Sequence, residues 1–352
     1  MRTLASIQTI NAIEPIAGAD AIERARVLGW WVVVRRGEHR TGDKVVYCEI
    51  DSLLPERPEF EFLRKSSYRA AITTSSGDVL LPAGFRIKTA KLRGQVSQGI
   101  CFPLSILGDE TLTAEGTDVT DRLGIVKYDP PLPASMSGRV KGAFPGFVAK
   151  TDETRVQILE AVIARHRGKP FYVTEKLDGT SFTAFFRGSE FGVCSRNQWL
   201  DETDLDNTLC RVALSLDLAK RLEAARARLG FELAVQGEII GPGLQGNKYA
   251  RKQAELHVFN IVNLDAGRLV DHADMLAIAG ELGLTVVPQL GQIVLDHSVD
   301  QLVELSIGPS ALMPTVPREG IVLRPLSDEE DPELGRLSFK AINPKFLLKY
   351  DE

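Results

Sequence analysis

Residues 171–188 read FYVTEKLDGTSFTAFFRG, and the fold of the second half of the chain follows from how this stretch divides. Branched and aromatic residues dominate on both sides of Lys176-Leu177-Asp178-Gly179, which predicts two strands joined by a turn, with the lysine closing the first. Downstream, FGVCSRN, ELAVQGEII, LHVFNIV, GIVLRPL and RLSFKAI also read as short strands. Between them lie stretches of helical period: a long one from about Asn207 to Leu229 that Gly230 stops, and shorter ones around ADMLAIAGELG and VDQLVELSI. Upstream, TDETRVQILEAVIARHRG has apolar residues at helical spacing, capping candidates Thr151 and Asp152, and Gly168 at its end, so it predicts a helix. Residues 151–352 are thus expected to form an α+β domain.

The first part of the chain has a different texture. WWVVVRR and DKVVYCEI are strand-like, and RTGD between them suggests a hairpin turn. GFRIKTAKL and GICFPLSIL add two more strand-like runs, so residues 1–125 are expected to form a small β-barrel or sandwich. Pro, Gly, Ser and Ala crowd YDPPLPASMSGRVKGAFPGF, which places a linker at 126–150. Two domains also suit 352 residues, more than a single core commonly supports.

Composition excludes several classes. With 44% apolar and 25% charged residues the chain is not globally disordered. It has no apolar run of membrane-spanning length, and MRTLASIQTINAIEP lacks a secretory apolar region, so a cytoplasmic protein with no membrane partner is expected. Cys48, Cys101, Cys194 and Cys210 form no Cys-x-x-Cys pair, which points to reduced thiols rather than a zinc ribbon. The net charge of −5 argues weakly against a nucleic-acid partner. Local clusters permit one: Arg86, Lys88, Lys91 and Arg93 share one stretch, and Lys340, Lys345 and Lys349 another, although on spacing alone solvated faces are the readier explanation of both.

Chemistry enters at Lys176. A nucleophilic amine must be neutral, and a lysine at a strand end can be held beside a cation that lowers its pKa. The motif alone is common, but further elements follow in order: Ser195-Arg196-Asn197, Gln236-Gly237-Glu238, His257-Val258-Phe259-Asn260-Ile261, Arg318-Glu319-Gly320-Ile321-Val322 and Phe339-Lys340. Taken singly, Phe259 on an alternating strand face reads as core as readily as ligand contact, and Glu238 and Glu319 read as solvated carboxylates. Their joint order resembles the covalent nucleotidyltransferase superfamily of polynucleotide ligases and capping enzymes, from about Phe144 to the C-terminus.

Within that superfamily TEKLDGTSF, VQGEIIGPGLQGNKY, HVFNI, REGIVLRP and SFKAINPKFLLK are most similar to RNA ligases. RRGEHRTGDKVVYCEIDSLLP and FRIKTAKLRGQVSQGICFPL resemble the N-terminal OB module of Deinococcus-type nick-sealing RNA ligases. The resemblance implies an OB-like barrel followed by an ATP-grasp-like nucleotidyltransferase domain. It implies ATP as cofactor with Mg2+ or Mn2+, and a nicked duplex with RNA on the 3′-hydroxyl side as partner. Carried over to this sequence, Lys176 is the residue that takes AMP, Glu175 faces the adenine amino group, and Asp178 helps place the 3′ end. Arg196 grips phosphate or ribose, Glu238 accepts from the ribose, and Phe259 stacks on adenine. Glu319 helps hold the metal, and Lys340 neutralises the α-phosphate. Two positions depart from the pattern: Ile342 stands where many members have a second lysine, and Ser181 where some have asparagine.

Two rival readings remain. A DNA ligase or capping enzyme shares the lysine motif but usually places its OB domain after the last motif, whereas here only residues 341–352 follow Lys340. A non-catalytic nucleic-acid-binding scaffold is disfavoured by the intact Lys176, Glu238, Glu319 and Lys340. No end-healing domain is expected, so end-healing enzymes would be the partners that prepare 5′-phosphate and 3′-hydroxyl ends.

Overall fold

An eleven-residue strand, Ala5–Pro15, organises the first unit of the chain. Residues 5–9 pair with Lys44–Cys48, and residues 10–15 pair with Ile22–Val27. The change of partner falls at an irregularity between Ile10 and Ala12, the kind of bulge that bends a strand so that it can serve two sides of a barrel. The resulting antiparallel sheet runs Ile100–Pro103, Lys44–Cys48, Ala5–Pro15, Ile22–Val27, Trp30–Arg35. Its ends are drawn together where Val33 N donates to Ser97 Oγ and Gln98 N to Trp31 O, each at 2.9 Å. Trp30, Val32 and Val34 point into the core while Trp31, Val33 and Arg35 alternate outward, the period of a half-buried strand.

The expected hairpin between WWVVVRR and DKVVYCEI does not form. Trp30–Arg35 pairs with Ile22–Val27, and Lys44–Cys48 lies between Ile100–Pro103 and Ala5–Pro15. The first strand, which lies outside the local turn between the two runs, takes the place beside Lys44–Cys48 that the turn-based reading gave to the hairpin partner. A second sheet of four short strands orders Val126–Lys127, Ser52–Leu54, Gly84–Arg86 and Tyr68–Arg69.

The computed structural model describes residues 3–74, 76–109, 111–130 and 138–351, so the 131–137 part of the expected linker lies outside the described residues. By contacts the chain divides into Met1–Pro131 with Pro344–Glu352, and Leu132–Asn343. The closing helix, Pro344–Tyr350, therefore packs with the N-terminal unit, although sequence order alone places it with the second domain. Buried Phe346 and Leu347 are what it contributes to packing.

The second unit is built on two sheets. One orders Val140–Ala143, Gln198–Leu200, Glu190–Cys194, Thr180–Arg187, Leu233–Ile240, Glu255–Asn263 and Arg268–Leu269, all antiparallel. The other orders Thr154–Arg155, Phe339–Ile342, Gly320–Pro325, Pro170–Lys176 and Gln289–Val294, antiparallel except for its first pair. Each sheet buries one face under helices. Phe182, Ala184 and Phe186 meet Leu209, Leu222 and Met275, while Phe171, Val173 and Ile321 meet Val162, Val299 and Leu302. The opposite face of the seven-stranded sheet is mixed: Phe185, Cys194, Ala234 and Val262 form a smaller apolar cluster there, and Glu238 of the site shares that face.

Two helix expectations change. The 151–168 pattern yields a strand Thr154–Arg155, a 3-10 turn Val156–Ile158 and only Glu160–Arg165 as α-helix. Pairing of Thr154 with Phe339 and Arg155 with Lys340 captures the first turn of the would-be helix for the sheet. The 207–229 pattern splits into Thr208–Ser215, capped by the Asn207 side chain, and Leu218–Leu229, with Asp217 at φ +51 between them. Gly230 at φ +76 ends the second helix, as its position suggests.

Candidate active site

Lys176 closes its strand opposite Gly320, which brings the preceding residue, Glu319, within reach. Lys176 Nζ donates to Glu319 Oε1 at 2.7 Å and Oε2 at 2.8 Å. Two glycines make this approach feasible. A Cβ on Gly320 would stand 2.3 Å from Ala341 O, and one on Gly179 2.3 Å from Ile239 O, so both positions need a residue without a side chain.

Asp178 leaves the turn toward a loop that holds it twice. Its backbone N donates to the Tyr249 hydroxyl at 2.8 Å, and Lys248 Nζ pairs with its Oδ2. The loop can curl back because Gly241, Gly243, Gln245, Gly246, Asn247 and Ala250 all adopt positive φ. Lys248 and Tyr249 sit inside the quoted stretch GPGLQGNKY, yet spacing gave them no role. The signal was the density of glycine and asparagine ahead of a lysine.

Glu238 comes from the seven-stranded sheet, in register with Ser181. Burial pushes its carboxyl up to about 8, with Glu319 and Asp178 adding to the rise and Lys176 opposing it. Lys176 moves the other way from the expectation of a lowered pKa. Burial depresses it, but Glu319, Glu238 and Asp178 outweigh burial and hold the ammonium above the ordinary lysine range. The cation expected beside it is Lys340, and there the depression appears: burial, then Lys176 and Arg155, bring Lys340 down to about 7. Of two neighbouring part-buried lysines, the one with more carboxylates around it holds its proton more strongly. Arg155, strand partner of Lys340, was not singled out by sequence because it fell in the expected helix.

Glu175 is buried beside Lys176. Its Oε2 accepts from Ala311 N at 2.8 Å, while Oε1 has no hydrogen-bond partner among the described residues, the nearby Ser310 hydroxyl not completing one. Burial raises its pKa, opposed by Ser310, Ala311 and Arg318. Next to it Leu177, Ile240, Tyr249 and Val287 form an apolar cluster against which Phe259, Leu312 and Met313 pack. Phe259 does not lie on a regular alternating face with His257 and Ile261. Gly237 opposes Val258 and Gln236 opposes Asn260, so Phe259 is the extra residue of a bulge, turned out of the helix-side core that takes Val258 and Ile261.

Arg196 stands apart from these groups. It is half-exposed and pairs with Asp152 Oδ1 at 2.6 Å; the neighbouring Thr151 hydroxyl bonds Ser181 Oγ at 3.1 Å. Thr151 and Asp152 therefore serve the site's rim rather than a helix cap. Ile342, at the position of the missing second lysine, is buried opposite Gly320. Among the described residues no group of three or more His, Cys, Asp or Glu side chains is arranged to hold a metal ion. All four cysteines are free thiols. No helix among the described residues is long and apolar enough to cross a membrane.

An OB-fold domain model matches residues 4–104, and the RNA ligase family model matches residues 169–342. No curated protein matches the chain in sequence. Solved structures of a Naegleria gruberi RNA ligase do match. A variant with ATP and Mn is 36% identical with a TM-score of 0.88, covering 100% of each chain. Another with AMP and Mn is 36% identical with a TM-score of 0.87 over 99% of each. The form with PPi is also 36% identical with a TM-score of 0.87, over 100% of this chain and 99% of that one. With the site built on that fold and the likeness running from end to end, this chain belongs to the RNA ligase family, with an N-terminal OB-fold domain ahead of its ligase domain.

Proposed function

We propose that this ligase uses ATP to charge Lys176 with AMP, passes AMP to a 5′-phosphate, and joins that end to a 3′-hydroxyl at nicks in duplexes, with RNA on the 3′-hydroxyl side, as Deinococcus-type enzymes do. The observation that carries the reading is the Glu319 carboxylate at 2.7 and 2.8 Å from Lys176 Nζ, with Glu238, Asp178 and Lys340 all close enough to act on the charges there. In the first step Nζ, once its ammonium proton has gone to solvent, bonds the α-phosphorus while the bond to pyrophosphate breaks; its second proton passes to the Glu319 carboxylate that it contacts, and Lys340 neutralises the charge that develops on the α-phosphate.

The residues present fit a nucleotide. The orphaned Glu175 Oε1 lacks a donor such as the adenine amino group supplies, and Phe259, freed by its bulge, offers a ring beside the apolar cluster. In this reading Glu238 accepts from the ribose, Arg196 grips phosphate or ribose, and Asp178 helps place the 3′ end. The Glu319 carboxylate suits a hard divalent cation, Mg2+ or Mn2+, as a single protein ligand completed by water and phosphate oxygens, with the charges of Asp178 and Glu238 close by but not arranged as further ligands. When bound, such a cation supplies positive charge that offsets these carboxylates and favours the neutral amine. The OB domain, expected over 1–125, is read as the part that grips nucleic acid, and the ligase domain from 151 as the part that activates it. A cytoplasmic setting and supply of ends by end-healing enzymes complete the proposal.

The test is incubation with ATP labelled at the α-phosphate, followed by denaturation and peptide mapping. A covalent label on Lys176 that Lys176→Ala abolishes is the expected result. No label on the parent would favour a scaffold, and a label on Lys340 would reassign the nucleophile.

A further inference from the structure

The small sheet of the first unit carries a charge cluster that the ligase chemistry does not use. Arg69 and Arg86 end adjoining antiparallel strands, and Lys88 follows two residues after Arg86. All three converge on Asp351, just past the closing helix. Lys88 Nζ pairs with Oδ1, Arg69 donates to Oδ2 at 3.4 Å, and Arg86 donates to the Asp351 carbonyl at 3.1 Å. The Arg86 guanidinium also lies 4.5 Å from the Tyr128 ring centroid, which orients it.

Among the described residues three cations meet at this one acidic residue, in a chain whose total charge is −5. The cluster is open: Asp351 is 60% exposed, Arg69 33% and Lys88 25%. Exposed ion pairs add little to stability, and Phe346 and Leu347 already anchor the helix, so holding Asp351 is not what the three cations are needed for. Two guanidinium forks and an ammonium around a compact anion match a phosphodiester. The Lys88 ammonium, with Arg69 and Arg86 behind it, keeps the Asp351 carboxyl below the usual range, so it sits there as an anion.

We infer that Arg69, Arg86 and Lys88 form a binding site for a backbone phosphate of the nucleic-acid substrate, and that Asp351 is a resident carboxylate which this phosphate displaces. The inference rests on the proposal that the N-terminal domain grips nucleic acid. It adds the residues that do so and an internal competitor.

The full-length protein, without ATP, is titrated with a nicked duplex carrying RNA on the 3′-hydroxyl side over a range of salt. Asp351→Asn, which keeps the shape and removes the charge, is expected to bind severalfold more tightly. Arg86→Ala and Lys88→Ala are each expected to bind more weakly, with the salt slope reduced by about 1 per lost cation. Unchanged or weaker binding by Asp351→Asn at an unchanged melting temperature overturns the competitor. Unchanged affinity and slope for Lys88→Ala, which does not depend on how the asparagine variant folds, overturns the site. Self-labelling by ATP is measured in parallel: it is expected in every variant. Its presence alongside a failed binding result rejects this inference alone, whereas its absence in the parent rejects the ligase chemistry.

Discussion

Lys176 and Asp351 are inverse cases. In the ligase unit one cation is surrounded by carboxylates; in the N-terminal unit one carboxylate is surrounded by cations. The difference that matters is depth. It lies in the carboxylates: Glu319 beside Lys176 is 12% exposed and Asp351 60%, while the cations Lys176 and Lys88 are alike at 27% and 25%. Buried charges shift one another strongly and cost stability when a partner is lost, which suits groups whose protonation must change during a reaction. Exposed charges are screened and cheap to separate, which suits recognition of a partner that also brings charge. Lys176→Ala, by abolishing labelling, is the largest effect expected on the buried side. The predictions that follow descend from there toward the exposed side.

Glu238 is the strongest check on burial. Its folded pKa of about 8 lies above its ordinary 4.5, so the folded protein binds this proton more tightly than the unfolded chain does. The sign follows: its contribution is intact below pH 4.5, is lost progressively as pH rises toward 8, and changes no further above that. Glu238→Gln is therefore expected to match the parent near pH 4 and to exceed it in stability at pH 8 by on the order of 4 kcal/mol, while losing ATP labelling. Urea unfolding of both proteins across this range decides the point. A stability difference that does not grow with pH would mean that Glu238 is far less desolvated than its surroundings indicate.

Lys248 comes next. Its pair with Asp178 leaves both side chains little exposed, 11% and 12%, so Lys248→Met takes the ammonium away from a largely buried carboxylate. The expected loss is about 3 kcal/mol, insensitive to salt between dilute buffer and molar sodium chloride. A loss that salt erases would place this pair with the exposed ones. Phe259 should cost less and show itself in ATP use rather than folding. Phe259→Ala is expected to weaken ATP binding by about 1 to 3 kcal/mol and Phe259→Tyr much less, because tyrosine keeps the ring. Loss of stability in the alanine variant with no change in ATP affinity would return Phe259 to the core.

The two units also differ in how much the sequence disclosed. In the ligase unit most strands could be read directly, since runs such as LAVQGEII and GIVLRP are dense in branched residues and end in the motifs themselves. What could not be read there was tertiary. The bulge at Phe259 breaks a period that sequence can only assume to be regular, and the parallel pairing of Thr154 and Arg155 with Phe339 and Lys340 overrides a good helical pattern. The direction of the Lys176 shift depends on Glu238 and Glu319, distant in sequence. In the N-terminal unit the barrel class was legible but its pairing was not, because local turn chemistry favoured a hairpin that the first strand pre-empts. Arg86 and Lys88 were visible as a basic run. Their carboxylate partner, more than 260 residues away, was not.

Asp351 closes the series with the smallest stability effect. Because its partners are partly exposed, Asp351→Asn should change stability by less than about 1 kcal/mol, and raising salt should remove even that difference. Lys248→Met must behave oppositely under the same titration, so one salt series on two variants tests the contrast between depth and exposure. The two halves of the Asp351 argument also constrain each other. If losing its charge cost several kcal/mol, the ion cluster would be a structural clamp, and an anion that the fold needs could not be given up to a phosphate. A near-zero cost, with tighter duplex binding at low salt that fades as salt rises, is the pattern required of a carboxylate that substitutes for a phosphate and yields to it.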